Sequence, residues 1–555
     1  MSFILAYGAE RVSQRWRNHR PREGEASSAN RTDTAESLED LCQGLRENRL
    51  RTLSIGWNES DFIRSDKSVG VLEKAWQRNR SVTSVSIGLR IGQSSHYKAV
   101  EGDGRPGIPV HTRNRRLLCL TLDRVLAQKS PHYILSLRLV LDDWIPEHLL
   151  HAILKQQVHL QSIEFHGVTC RTVARRNQNT DSLRSETSTS TTASTAQSDS
   201  TASSVRSEYA AAAVVKRLLS KKKQHGVANI DMLSNDKTHN HSNDRHPRVP
   251  RVNRNRSVPV DLVSVVLPHL VRLHSPLKSL KLIDCGLMDE DLDMLVQALA
   301  NHKNLEELSL RSNRRLTGTG AATLCASFRG TSLDLSLCDL TRFDAPDITA
   351  ALSRRTVPLS KLLLCGNYQL DTIGLVQLVQ ASVLQKVVAL DLSYCEWGES
   401  RTTRTLQQIV ASHAEGPTAL REIVLRGCTL TSHASRQALL NLLTAPHVRL
   451  RRLVLNDPVE SGKYWSTEAL EQVADIMPSN YDVEELVLDY MYTQPNAQVW
   501  KRIQPWLEWN KLGRRVVVPG RTVSAAEWLE SIYKASQKDD LDVLYWFIRQ
   551  STGRF

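Results

Sequence analysis

One nine-position pattern, Leu-x-x-Leu-x-Leu-x-x-Asn/Cys, returns through the second half of the chain and restricts its fold more than any other feature. It opens as Leu277-x-x-Leu280-x-Leu282-x-x-Cys285 and Leu305-x-x-Leu308-x-Leu310-x-x-Asn313. A weaker copy carries Leu335-x-Leu337, with Ser332 taken as its start. The pattern resumes at Leu359-x-x-Leu362-x-Leu364-x-x-Asn367, Val387-x-x-Leu390-x-Leu392-x-x-Cys395 and Leu420-x-x-Ile423-x-Leu425-x-x-Cys428. Leu450-x-x-Leu453-x-Leu455 and Val483-x-x-Leu486-x-Leu488 close the series, and the starts lie 28, 27, 27, 28, 33, 30 and 33 residues apart. A fixed period of this length marks stacked units, each too small to bury its own apolar edge.

Alternation over Leu-x-Leu predicts a short strand in each unit. The stretches between predict helices, with Leu292, Leu295, Val296 and Leu299 on one face and Leu470, Val473 and Met477 on another. Stacking such units gives a parallel sheet with helices outside it. The Asn or Cys at position nine donates hydrogen bonds to loop carbonyls where the backbone turns. Cys285, Cys395 and Cys428 are therefore expected as structural thiols, not as nucleophiles or metal ligands.

The same pattern runs more weakly through Leu50-x-x-Leu53-x-Ile55-x-x-Asn58 and Val82-x-x-Val85-x-Ile87. It appears again in Ile134-x-x-Leu137-x-Leu139 and Leu160-x-x-Ile163-x-Phe165. Between the two blocks, residues 169–258 hold 16 Lys or Arg against seven acids, so most of the net charge of +13 sits there. Within that stretch, residues 181–207 contain 16 Ser or Thr among 27, too few apolar side chains to offset ordering entropy. The expected division is a flexible tail over 1–36, repeats over 37–168, a disordered basic insert over 169–258, repeats over 259–495 and a Trp-rich helical region over 496–555. One solenoid interrupted by the insert, rather than two unrelated domains, follows from the shared pattern.

These residues resemble the leucine-rich-repeat family, in its ribonuclease-inhibitor-like subtype with repeats near 28 residues. The run Leu287-Met-Asp-Glu-Asp-Leu-Asp-Met-Leu295-Val-Gln-Ala-Leu299 is similar to that subtype's convex helix entry. Gly320-x-x-x-Leu324 and Gly374-x-x-x-Leu378 match its helix-opening glycine. The resemblance implies an α/β fold: a horseshoe-shaped leucine-rich-repeat solenoid with a parallel concave sheet, convex helices and a helical C-terminal cap. It implies nothing about activity.

Five of the 11 Trp residues follow residue 498 (Trp500, Trp506, Trp509, Trp528 and Trp546). A helix through Val499, Ile503, Trp506 and Trp509 ends at Gly513. Ser524-Ala-Ala-Glu527 is a capping box opening a second helix, and 539–550 a third. Terminal repeats need a cover, so this region is expected to cap the array. Its sequence resembles the tail of leucine-rich-repeat proteins of diatom type, which implies lineage and no chemistry.

Composition excludes several classes. No apolar run approaches a membrane span, and Phe3-Ile4-Leu5-Ala6-Tyr7 is too short for a signal peptide. Nine Cys without close pairs predict free thiols in a reducing compartment, hence a cytoplasmic or nuclear monomer with no membrane attachment. No P-loop, dinucleotide fingerprint or nucleophile elbow is present, and no catalytic constellation or cofactor is expected. His239, His241 and His246 read as solvated histidines in a polar stretch, and Ile145–Leu154 reads as a repeat helix despite its likeness to the start of an F-box.

The face between the core leucines carries Lys281, Glu307, Ser309, Arg311, Asp334, Lys361, Asp391, Glu422, Arg426, Arg452, Glu485 and Asp489, five basic and six acidic residues with one serine. A nucleic-acid groove would show a basic stripe there. Mixed charge instead fits a protein partner, and these twelve residues are the candidate protein-binding site. The expected function is a non-enzymatic interaction scaffold. Ser257, in Arg254-Asn-Arg-Ser257-Val-Pro259, is the candidate regulatory phosphosite for a phosphoserine-binding adaptor. One alternative is a GTPase-activating regulator of Ran type using Arg311, Arg314 and Arg315. Another is nucleic-acid association through the insert, where Lys216–Lys223 could equally act in nuclear import.

Overall fold

The computed structural model describes residues 38–57, 66–89, 110–127, 134–141, 144–172, 258–260, 262–270, 276–300, 302–428, 430, 432–455, 467–488, 496–518 and 524–537, with Tyr545 and Arg549. Among the described residues, fifteen strands form two sheets. The large one has twelve parallel strands in chain order: β1 (Thr52–Trp57), β2 (Ser84–Leu89), β3 (Ser136–Leu141), β5 (Ser162–His166), β8 (Ser279–Ile283), β9 (Glu307–Ser309), β10 (Ser332–Asp334), β11 (Leu359–Leu363), β12 (Val387–Asp391), β13 (Glu422–Val424), β14 (Arg452–Leu455) and β15 (Glu485–Leu488). Sequential parallel neighbours require a crossover between every pair, and helices supply most of them, as in a repeat solenoid.

One residue row fixes the register throughout. Leu53, Val85, Leu137, Ile163 and Leu280 pair strand to strand, and Leu308, Leu333, Leu362, Leu390, Ile423, Leu453 and Leu486 continue the row. Every member is at most 4% exposed, so a one-residue slip anywhere would move a buried aliphatic into water. The helix-side residues Leu292, Leu295, Leu299, Leu470, Val473 and Met477 are buried against this row, while Val296 is only half-buried. A single hydrophobic cluster runs from Leu41 to Leu507.

The backbone leaves seven of these strands through a left-handed residue two positions past the second core side chain: Gly167, Asp284, Ser312, Leu337, Gly366, Tyr394 and Gly427. Val168 follows Gly167, and in the other six turns the next residue is the Asn or Cys of the motif, whose side chain ties adjacent turns together. Asn313 donates through Nδ2 to the carbonyls of Leu282 and Leu310, both at 2.7 Å, and accepts through Oδ1 from the amides of Cys285 (2.9 Å) and Leu287 (3.1 Å). Asn367 repeats this with Leu335, Leu364, Cys338 and Leu340. Where Cys takes the position, its thiol donates to the preceding turn, as Cys338 Sγ does to the Leu310 carbonyl at 3.3 Å. Burial pushes the Cys338 thiol up to about 12, which keeps the donor proton in place.

A second polar ladder, unforeseen in the sequence, runs along the helix C-termini, where backbone carbonyls lack partners. Asn79 donates to the Leu45 carbonyl, Gln157 to Leu126, Arg355 to Cys325 and Phe328, Ser412 to Val379, and Asn480 to Leu443. Each of these donors is buried and belongs to the repeat following the carbonyl it satisfies.

The frame of the weak copy differs from expectation. Leu333 and Leu335, not Leu335 and Leu337, hold the core positions, and Leu337 occupies the left-handed turn at φ 58°. Gly330 opens this unit in place of Leu, because a Cβ there would lie 2.6 Å from the Leu305 carbonyl oxygen.

The long interruption falls inside one repeat, between its strand and its helix. Leu160 and Leu277 stand 117 residues apart, and without the 85 residues 173–257 the interval is 32, an ordinary repeat. A small sheet closes this gap: β4 (Trp144–Pro146) pairs in parallel with β6 (Thr169–Thr172), which pairs antiparallel with β7 (Val258–Val260). Thr172 thereby meets Val258, and β5 lies directly beside β8, with Glu164 opposite Lys281. The stretch 173–257, including most of the expected basic insert, lies outside the described residues.

Past the last strand, helix Asn496–Lys511 contributes Val499, Ile503 and Leu507 to the core. Trp506 packs partly buried against that core, as expected, whereas Trp509 is exposed, and the two rings meet edge to face at 5.7 Å. The buried Arg514 guanidinium stacks on Tyr481 (4.2 Å) and Trp506 (4.5 Å) and donates to the Pro478 carbonyl. Gly513 turns the chain at φ 96°, where a Cβ would strike Ser531 Oγ on helix Ala525–Gln537. That helix begins at the predicted capping box, with Glu527 N donating to Ser524 Oγ at 3.2 Å. The third expected helix lies outside the described residues, Tyr545 and Arg549 apart.

Candidate protein-binding face

The strand residues flanking the register row point away from the helices and form the open face of the large sheet. Its first half is rich in hydroxyl groups. Thr52, Ser84, Ser136, Ser162 and Ser279 are cross-strand neighbours over five strands. Charge enters with the Arg138–Glu164 pair at 2.8 Å and dominates from β8 onward. The small and hydroxyl-bearing residues of the first half carry no charge to mark them in the sequence.

Eleven of the twelve face residues expected from sequence lie within the described residues, and Asp489 lies outside them, as does Ser257. The eleven divide by whether their charge is already engaged. Glu307 is held on both oxygens, by Lys281 Nζ at 3.1 Å and Ser279 Oγ at 2.7 Å. Partial burial works against that charge, but these bonds and the nearby Lys361 hold the Glu307 carboxyl below its ordinary value. Ser309 Oγ donates to Asp334 Oδ2 at 2.8 Å. Arg452 bridges Glu422 and Glu485, the latter at 3.0 Å. Asp391 Oδ1 accepts from the Ser393 amide at 2.8 Å.

Lys361, Arg311 and Arg426 differ: among the described residues none of their side chains makes an ion pair or hydrogen bond. Lys361 and Arg426 border a depression of about 200 Å³ with Asp391 and Glu422, over a floor of Leu363 and Val424. Arg311 and Arg426 stand at the strand ends on either side of the half-buried Cys365. Burial, reinforced by Asp391, pushes the Cys365 thiol up to about 11, with Arg311 and Arg426 acting the opposite way. A thiol so raised stays protonated near neutrality and is a poor nucleophile.

Arg314, grouped with Arg311 and Arg315 in the sequence, points to Asp339 at 3.9 Å. Exposed aromatic groups lie beyond the strand ends: Tyr368 and Tyr394, 45% and 48% exposed, in the turns after β11 and β12, and Phe343, 73% exposed, just before helix Ala345–Ser353. Sequence pattern does not single them out, since each occupies a loop position the motif leaves free. Among the described residues no group of three or more His, Cys, Asp or Glu is placed to hold a metal ion, and no helix is long and apolar enough to cross a membrane. No protein-family model matches the chain. No curated protein matches it either.

Proposed function

We propose that this chain is a leucine-rich-repeat solenoid of the ribonuclease-inhibitor-like subtype and serves as a non-enzymatic protein-interaction scaffold. The array bends as a horseshoe with the open sheet face concave, and the helices after residue 496 cap its end. A protein partner docks on the open face, and phosphorylation of the basic insert at Ser257 tunes that interaction. The observation that carries this reading is the unbroken twelve-strand face, on which most charges neutralise one another and a few cations are left free. A surface of that kind resists nonspecific association yet offers discrete points for a complementary partner.

The test is quantitative co-purification from cells with three forms: the intact chain, a form lacking 173–257, and a Lys361→Glu, Asp391→Lys double reversal. Loss of a protein partner with the face reversal alone supports the reading. Partners lost only with the deletion, or nucleic acid recovered in their place, would contradict it.

A further inference from the structure

Beyond the ends of β9–β13, exposed aromatic rings lie close to two cations, Arg311 and Arg426, that make no ion pair among the described residues. Tyr394 sits in the left-handed position at φ 55°, and its amide donates to the Arg426 carbonyl at 2.7 Å. Its ring packs at the site where Gly427 lacks a side chain. Tyr368 follows the buried Asn367 on the neighbouring turn, which its backbone holds to Tyr394's turn by Gly366 N donating to the Ser393 carbonyl at 2.7 Å. Arg342 stacks on Phe343 at 4.6 Å while reaching Asp371 at 3.3 Å, placing Phe343 beside the turn that leads to Gly374. The rings thus occupy consecutive repeats on one rim of the array. Arg311 on the turn after β9 and Arg426 on the turn after β13 stand at its two ends.

We propose that this rim binds an extended, acidic segment of a partner protein, with Phe343, Tyr368 and Tyr394 as apolar anchors and Arg311 and Arg426 as carboxylate partners. The inference rests on the interaction reading above and names the partner's chemistry. Exposed Tyr and Arg together are the residue types that dominate binding energy at interfaces. Arg311 and Arg426 are four strand steps apart, about 19 Å at ~4.8 Å per step. An extended peptide rising ~3.3 Å per residue covers that span in about six residues. The fitting ligand therefore has two carboxylates about six positions apart with apolar side chains between them. Single-stranded nucleic acid also stacks on aromatic groups, but Asp339 near Tyr368 and Asp371 on Arg342 beside Phe343 would oppose a continuous phosphate backbone.

Random twelve-residue peptides displayed on phage, selected against the intact chain and then measured singly by fluorescence anisotropy, test the proposal. The expected peptides carry paired acids at the stated spacing around apolar residues. They lose at least about tenfold in affinity with Arg311→Glu, Arg426→Glu and, independently, with Tyr368→Ser, Tyr394→Ser. Both double variants alter exposed side chains, and unchanged circular dichroism and melting confirm that they fold. Selected peptides that lack acids, or that bind the rim variants undiminished, overturn the proposal. So does tighter rim-dependent binding of a labelled oligothymidine. Peptides that are lost only with Lys361→Glu, Asp391→Lys would move the site to the open face, overturning the rim while leaving the scaffold reading intact.

Discussion

At the scale of single residues, stability depends on polar side chains sealed between turns. Asn313 satisfies two amides and two carbonyls while fully buried. Asn313→Ala removes all four of these hydrogen bonds at once and is expected to cost about 2–4 kcal/mol. Urea unfolding measures this directly, and a cost near zero would mean that the turn does not depend on the asparagine. Two buried histidines give the molecule a pH dependence. His302 has no hydrogen bond to either ring nitrogen among the described residues, and burial holds its pKa below the ordinary value. His413 is lowered chiefly by burial as well, with His447 and Arg421 adding to the effect and the Ile409 carbonyl opposing it. Because the fold prefers both rings neutral, their contribution is present above the unfolded value of about 6.5 and is lost as pH falls below it. Urea titrations at pH 7.5 and 5.5 should show lower stability at the acid end. His302→Leu should shrink that difference, and an unchanged difference would remove His302 from the account.

At the scale of the element, each turn is built by close approach between neighbouring repeats. Gly366 adopts φ 72°, and a Cβ on it would lie 2.3 Å from Leu337 Cδ2. Gly286 adopts φ 67° with nothing near its missing Cβ. Gly286→Ala should therefore cost only the left-handed conformational penalty of about 1 kcal/mol. Gly366→Ala should cost about 2–3 kcal/mol, since a clash adds to the same penalty. Equal losses in thermal melts would show that Leu337 yields freely.

Much of this level was legible in the sequence, because core leucines and turn asparagines have one structural solution. The β10 unit was misframed because Gly330 replaces the opening leucine and Leu337 imitates a core residue two positions late. The second ladder escaped notice because Asn, Gln, Arg and Ser all serve in it, and no residue type repeats. The candidate face was legible as a set of positions. Its division into engaged and free charges was not, since Lys281 reaches Glu307 diagonally only once the register sets Glu307 opposite Ser279.

At the scale of the whole molecule, the long interruption leaves the sheet intact. β5 and β8 pair across 173–257 in the register used everywhere else, so the strands before and after it share one sheet face. The interval arithmetic from Leu160 to Leu277 contained this result. Its location within a repeat became visible only through β6 and β7, two short strands with no motif of their own. The most direct measurement is a disulfide bridge across that junction. Ser162 and Ser279 are register partners on adjacent parallel strands, at a separation suited to a disulfide. Ser136 lies one strand further away. Mild oxidation of the Ser162→Cys, Ser279→Cys chain should yield the cross-linked peptide in mass spectra, whereas Ser136→Cys, Ser279→Cys should not. Linkage of the second pair and not the first, or of neither, would contradict a single continuous sheet and with it the shared binding face.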